Sequence, residues 1–369
     1  MRFLLVLLFV LNACAGSGKN NPTSDTTSAD TTGADTTGTD ATGADASGKI
    51  EVKVGLNGHR IMVDGIEREG LVYAPESALK REAAPMVLFF HGSNQTGKLA
   101  FENFGWREVA DREGLIVVYP TALNYCFRVD DNWDGKIDSE DPIEIKEKWA
   151  NGDLQDPTKL VLCTPEELAS LDEKTRAKVD HPRMEDRTFV DEILKLIPSN
   201  YPVDPKRMYL SGFSGGGSFA TRMTQELSDV FVATQVCAGG LGVPPVETSR
   251  GISYALILGT EDDGQAKKLG LTAFPFLSTF FEEYPEAIGI LDPILTMLGL
   301  SASLDDWHNP ASVELGGVSA YVWDITTSPK SRGNTFRFML VNGMGHEYPT
   351  HPLPAAELAW EFFEPQSLP

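Results

Sequence analysis

The sequence predicts an α/β fold, a mostly parallel central sheet with helices on both faces. Three observations carry that expectation. Near-continuous apolar runs bounded by Gly, Pro or Asn recur along the chain, helical stretches alternate with them, and a glycine-flanked serine stands at one strand-to-helix junction. Runs without polar alternation suit strands buried on both faces, as in a helix-covered parallel sheet. An alternating strand and helix order places reactive groups in loops at the carboxyl ends of the strands.

In chain order, the runs at 87–90, 115–119, 208–210, 255–258 and 336–341 read as buried strands. Residues 231–236 form a further apolar run that ends at Cys237. Helices are expected over 101–113, stopped by Gly114, over 187–197, stopped by Pro198, over 215–227, and over 355–363. The earlier segments 49–54 and 69–74 would be antiparallel edge strands. Two long stretches, 124–182 and 265–310, interrupt this rhythm. Connections of that length carry function or structure of their own, so both are candidates for a lid or cap.

The first 48 residues have a different character. Residues 1–13 hold an apolar stretch from Phe3 to Leu11, too short to cross a bilayer at about 20 apolar residues per span, and read as an export signal. The sequence Leu11-Asn12-Ala13-Cys14 resembles the cleavage box of bacterial lipoproteins, in which the cysteine becomes the lipid-modified first residue; Asn12 departs from the usual Ala or Ser. An ordinary signal peptide with an incidental Cys14 is the alternative. Residues 14–48 are dominated by Thr, Asp, Ala, Gly and Ser without an aromatic residue, a composition that cannot bury a core and should act as a solvated tether. Residues 49–369 form one domain-sized block. These features place the chain in the cell envelope, at the outer membrane or cell surface, touching membrane only through the N-terminal lipid.

The net charge of −22 excludes nucleic acid as a partner, because no basic stripe could displace counterions. With Cys14 assigned to lipid, three of the four cysteines remain. Cys126 and Cys163 bracket a polar insertion and are expected to pair, leaving Cys237 as a buried thiol. Closing that loop would stabilise by about 4 kcal/mol in the chain-entropy model, in an exported setting where disulfides persist.

Gly212-Phe213-Ser214-Gly215-Gly216 is the single G-x-S-x-G of the chain, directly after a strand and before a helix. A nucleophile on such a turn needs neighbours without side chains, and the helix N-terminus favours developing negative charge. A serine hydroxyl needs a base. Of six histidines, His346 in Asn342-Gly343-Met344-Gly345-His346 lies between the last strand and the last helix, with His351 as nearby competitor; His59, His181 and His308 read as surface or structural. The acid that orients it should follow the strand at 255–258, where Glu261, Asp262 and Asp263 compete, and the Gly-Thr-x-Asp pattern selects Asp262. Backbone N–H groups of Gly215 and Ser93 are the candidate oxyanion donors.

The series His91-Gly92-Ser93-Asn94-Gln95-Thr96, Ala110-Asp111-Arg112-Glu113-Gly114-Leu115, Val203-Asp204-Pro205-Lys206-Arg207-Met208-Tyr209, Gly212 to Gly216, Gly259-Thr260-Glu261-Asp262 and Gly345-His346 resembles the α/β-hydrolase esterases that include polyhydroxybutyrate depolymerases and feruloyl or acetylxylan esterases. The resemblance implies an exported serine esterase acting on polymeric or extracellular esters, with no organic cofactor. A serine peptidase of the same fold and a non-catalytic surface-binding lipoprotein are the competing readings. Two departures bear on the substrate: Ser93 stands where many members have Cys or Gly, and the 124–182 segment is longer than usual. Trp106, Trp133, Trp149, Trp307 and Trp323 could stack on a sugar or an aromatic acyl group, or pack internally. A monomer is expected.

An independent signal lies inside the first insertion. Asp130, Asn132, Asp134, Lys136, Asp138 and Asp141 occupy the ligand positions of a twelve-residue calcium loop, with Gly135 at the sixth place and Ile137 at the eighth. The last position is Asp141 where Glu is usual, and Lys136 contributes only its backbone carbonyl. A structural Ca2+ is the expectation, and a solvated acidic loop the alternative.

Overall fold

The central sheet grows outward from strands that the apolar runs predict. The computed structural model describes residues 50–130, 135–326 and 332–369. Their strands are β1 (Gly55–Val63), β2 (Ile66–Ala74), β3 (Ala84–Phe90), β4 (Ile116–Pro120), β5 (Leu123–Arg128), β6 (Glu144–Lys148), β7 (Val161–Leu162), β8 (Val203–Phe213), β9 (Ala233–Cys237), β10 (Ser253–Gly259), β11 (Ala311–Leu315), β12 (Val318–Ile325) and β13 (Phe336–Val341). The main sheet has the order β1-β2-β4-β3-β8-β9-β10-β13-β12-β11. From β4 to β13 every pairing is parallel; the hairpins β1/β2 and β11/β12 flank this block with antiparallel pairings.

Alternation along β3 sorts its side chains between two cores. Met86, Leu88 and Phe90 face the helices Asp186–Asn200 and Ser214–Glu226, through Phe189, Ile193, Phe219 and Met223. Val87 and Phe89 face the opposite layer, built by the helices Trp106–Glu113 and Ala355–Phe363. All of β3 is buried, which is why its sequence shows no polar alternation. Sheet order, crossover helices and the strand-to-helix turn at Ser214 together make this an α/β-hydrolase fold.

Several element boundaries differ from the sequence expectation. The first edge strand is Gly55–Val63 rather than 49–54. Asp64 and Gly65 close its hairpin with φ of 49° and 82°, the left-handed pair whose twist suits a two-residue turn. The helix expected over 101–113 is two helices, Gly97–Asn103 and Trp106–Glu113, separated at Gly105, whose φ of 75° no α-helix continues. Pro198 lies inside the helix Asp186–Asn200: so near the end it removes one ladder N–H without stopping the last turn.

The two insertions are built into the domain. In the first, β6-β5-β7 form a small antiparallel sheet, and the Cys126–Cys163 disulfide ties the central strand β5 to the residue after β7 across Cα atoms 5.4 Å apart. Its Tyr125, Phe127, Trp149 and Leu160 are buried in the same core as the helix Ser214–Glu226. The second contains the helix Ile288–Met297, and its Phe281 packs on its Trp307 and on Trp323 of β12 at ring separations of 4.3 and 5.1 Å. Among the described residues no helix is long and apolar enough to cross a membrane.

Candidate active site

Strand β8 runs into the helix Ser214–Glu226 with no intervening loop, and Ser214 carries the turn at φ 52°. A non-glycine residue in that region is strained and persists where the surroundings fix it. Two glycines make the turn possible. A Cβ on Gly212 would lie 2.6 Å from the Gly216 carbonyl oxygen, and one on Gly216 would lie 2.1 Å from the His91 carbonyl oxygen. Side chains at either position would force apart β8, the helix and the loop after β3.

His346 reaches Ser214 from the loop after β13. Its Nε2 lies 2.8 Å from Ser214 Oγ, and its Nδ1 lies 2.9 Å from Asp262 Oδ2. An ionised carboxylate only accepts, so Nδ1 carries the hydrogen and Nε2 is the acceptor for the serine hydroxyl. The imidazole is 42 % exposed whereas Asp262 is fully buried, so the imidazole faces solvent and the carboxylate does not. Asp262 Oδ1 accepts the backbone N–H of Gln265 at 3.1 Å, which fixes the second carboxylate oxygen. The loops bearing acid and base are joined directly: Glu261 N–H donates to the Met344 carbonyl at 2.9 Å, and Gly343 N–H to Thr260 Oγ1 at 2.8 Å.

The structure discriminates among the competing residues. Asp263 is exposed and pairs with Lys267 at 2.8 Å, and Glu261 is exposed. His351 is exposed and precedes Pro352, outside this relay. His59 is buried against the Tyr201 hydroxyl at 2.7 Å, and His181 bonds the Asn124 carbonyl at 2.9 Å.

Ser93 lies against Gly215. A Cβ on Gly215 would meet Ser93 Oγ at 2.7 Å and Ser93 N at 3.7 Å, so the two candidate donors are neighbours beside the nucleophile. The loop that carries Ser93 is held by contacts that sequence reasoning did not find. Ala122 N–H donates to His91 Nε2 at 3.1 Å, leaving His91 Nδ1–H to donate to the Gly92 carbonyl at 2.8 Å. Trp149 Nε1–H donates to the His91 carbonyl at 2.9 Å, and Asn94 N–H to the Glu147 carbonyl at 3.2 Å. Burial pushes the His91 pKa down to about 4. No local sequence signal announces these partners, because Glu147 and Trp149 come from the insertion.

Trp106, Trp149, Trp307 and Trp323 are all at most 2 % exposed, so these four pack internally instead of presenting a stacking surface. Cys237 is a buried free thiol whose pKa burial pushes up to about 12. In the acidic loop, Gly135 N–H donates to Asp130 Oδ2 at 2.9 Å and Asp138 N–H to Asp141 Oδ2 at 3.0 Å. Arg128 donates to the Asp141 carbonyl. Lys136 is exposed beside them. Asn132, Asp134, Trp133 and Cys14 lie outside the described residues. Among the described residues alone, no group of three or more acidic, His or Cys side chains could hold a metal.

No family model matches the chain. Among curated proteins it is similar to a bifunctional acetylxylan esterase/xylanase of Neocallimastix patriciarum, at 22% identity over 285 residues, 76% of this chain and 31% of that protein. It is also similar to a poly(3-hydroxyalkanoate) depolymerase C of Paucimonas lemoignei, at 25% identity over 162 residues, 42% of this chain and 28% of that protein. The chain thus spans less than a third of the length of the curated relatives it matches. Among solved structures, an acetyl xylan esterase from Aspergillus awamori aligns over 84% of this chain and 98% of that one, with TM-score 0.49 and 12% identity. An S-formylglutathione hydrolase from Agrobacterium tumefaciens aligns over 84% and 94%, with TM-score 0.47 and 15% identity.

Proposed function

We propose that this chain hydrolyses carboxylic esters through an acyl-enzyme on Ser214. The observation that carries the reading is the continuous relay from Ser214 Oγ to His346 and on to buried Asp262, at 2.8 and 2.9 Å. In this reading His346 Nε2 takes the hydroxyl proton as Oγ attacks the ester carbonyl. The N–H groups of Gly215 and Ser93 stabilise the oxyanion, each such donor being worth about 3 to 4 kcal/mol. His346 returns the proton to the leaving alcohol and then activates water to free Ser214. Asp262 holds the tautomer and offsets the imidazolium charge.

An ester bond is preferred over a peptide bond because the names of both curated relatives carry ester-cleaving activities, an acetylxylan esterase and a polyhydroxyalkanoate depolymerase. The same names support an ester of a polymeric substrate. Ser214→Ala should abolish hydrolysis of 4-nitrophenyl acetate and labelling by a fluorophosphonate while leaving the melting temperature nearly unchanged. Retained turnover would refute the assignment, and cleavage confined to peptides would favour the peptidase.

The spacing of Asp130, Asn132, Asp134, Lys136, Asp138 and Asp141 supports a structural Ca2+ in the first insertion, and calorimetry showing no binding at millimolar calcium would remove it. Residues 11–14 support lipidation at Cys14; mass spectrometry of the mature N-terminus tests that reading.

A further inference from the structure

A cavity of about 420 Å3 opens on the sheet face that carries the Ser214–Glu226 helix. Ser218 lines it four residues past Ser214, as does Gln265, the residue whose N–H caps Asp262. Four helical residues rise about 6 Å, so the Ser214 and Ser218 backbones stand apart by about the length of a chain of a few bonds. Part of the lining is aliphatic, with Leu256 and Leu258 from β10 and Leu291 from the second insertion.

The rest of the lining is basic in a chain of net charge −22. Lys148 from the first insertion, Lys159, and Lys268 from the second share it with a single carboxylate, Asp153. Asp153 is taken by Lys159 at 2.8 Å. Lys268 Nζ donates to the Gln265 side-chain oxygen at 2.8 Å, and half-buried Lys148 lies over the Phe127 ring at 4.8 Å. Among the described residues neither makes an ion pair. Desolvation lowers the pKa of half-buried Lys148, so a counter-charge in the cavity would offset a cost the protein alone leaves standing.

We propose that this cavity binds a carboxylate carried by the ester substrate, with Lys148 and Lys268 as its cationic partners and the connecting aliphatic chain against Leu256, Leu258 and Leu291. The proposal rests on the Ser214 reading and narrows it to esters that carry an anionic group a short chain away from the scissile bond. The two insertions then act jointly, since each supplies one of the two lysines.

Two substrate pairs test it on the purified chain. For a carboxylate on the acyl side, the 4-nitrophenyl monoester of adipic acid is compared with the same ester capped as the terminal amide. For one on the alcohol side, 6-acetoxyhexanoate is compared with 6-acetoxyhexanamide in a pH-stat. The carboxylate member of at least one pair should have kcat/KM about tenfold higher, as a partly desolvated ion pair gives. That preference should fall toward unity in Lys148→Gln/Lys268→Gln and weaken as salt is raised. Lys268→Gln alone, at an exposed position, gives the same readout should the double variant fold poorly. A ratio at or below unity in both pairs, or a preference unchanged by the lysine substitutions, overturns the inference. Loss of amide-capped ester hydrolysis in Ser214→Ala without any carboxylate preference would leave the serine reading standing; equal rates in Ser214→Ala and the parent would remove both.

Discussion

The Trp149 indole donates its N–H to the carbonyl of His91 at 2.9 Å, across 58 positions of sequence. The bond makes the first insertion a support for the loop that carries Ser93. Trp149 is itself fixed, stacked on Phe219 at 5.2 Å and edge-on to Phe90 at 5.1 Å. Since these rings belong to the helix Ser214–Glu226 and to β3, the loop that carries Ser93 is positioned by the same core that positions Ser214.

Trp149→Phe keeps a ring in the core and deletes the N–H. The His91 carbonyl loses that partner and the loop gains freedom beside Gly215. We expect kcat to fall about tenfold with KM within about twofold, the pattern of a lost transition-state contact. Steady-state kinetics on a neutral 4-nitrophenyl ester reads both constants. A lowered melting temperature with unchanged kcat would show that Trp149 serves packing alone.

The choice among three adjacent acids is tested by Asp262→Asn against Asp263→Asn. An asparagine at 262 can still cap Gln265 but can present its amide to Nδ1, which favours the wrong imidazole tautomer. The expected loss is on the order of 10^4-fold in kcat. Asp263, exposed and paired with Lys267, should tolerate the change within about twofold. Equal effects of the two substitutions would undo the assignment of the acid.

Much of this arrangement was legible in the sequence for a physical reason: each relay member sits on its own local signature. Ser214 has its glycines, His346 its Gly-rich approach after a strand, and Asp262 its Gly-Thr-x-Asp turn. Strands buried on both faces announce themselves as apolar runs, as β3 and β10 do. What stayed hidden is half-exposed or non-local. Strand β6 reads Glu-Ile-Lys-Glu-Lys and is defined by its pairing with β5, not by its composition. The β11/β12 hairpin is an alternating edge whose signal was the Gly316-Gly317 turn, with φ of 60° and 86°. Asp64-Gly65 gave the same signal at the other edge. Contacts such as Trp149 to His91 and the shared cavity of Lys148 and Lys268 depend on how two insertions pack, which no single segment encodes.

Arg68 and Asp186 form a buried ion pair at 2.7 Å, with side chains 1 % and 0 % exposed, and the arginine lies over the Phe189 ring at 4.2 Å. Asp186 Oδ2 also accepts the Ala150 N–H at 2.7 Å, next to Trp149. Removing one ion strands the other in the core, so Arg68→Ala should cost about 3 to 5 kcal/mol in urea unfolding. Replacing both, as Arg68→Met/Asp186→Leu, should recover part of that loss and leave about 1 to 3 kcal/mol for the orphaned Ala150 N–H. A double variant no more stable than Arg68→Ala would contradict this account of the pair.

His91 should make stability depend on pH through its own titration. Burial holds its folded pKa at about 4, below the unfolded value of 6.5. Between those values the unfolded chain binds a proton that the folded chain does not, so stability rises with pH across that window. The contribution is complete above the unfolded pKa, and it is lost as pH falls toward the folded one. Its size is on the order of 3 kcal/mol. Urea unfolding of the parent and of His91→Gln at about pH 7 and about pH 4 isolates the term, because acidic groups titrate in both proteins and cancel. The parent should lose on the order of 3 kcal/mol more than the variant over that interval. Parallel losses would mean that the folded chain protonates His91 as readily as the unfolded one, so that neither burial nor the Ala122 N–H holds the ring neutral as pH falls below 6.5.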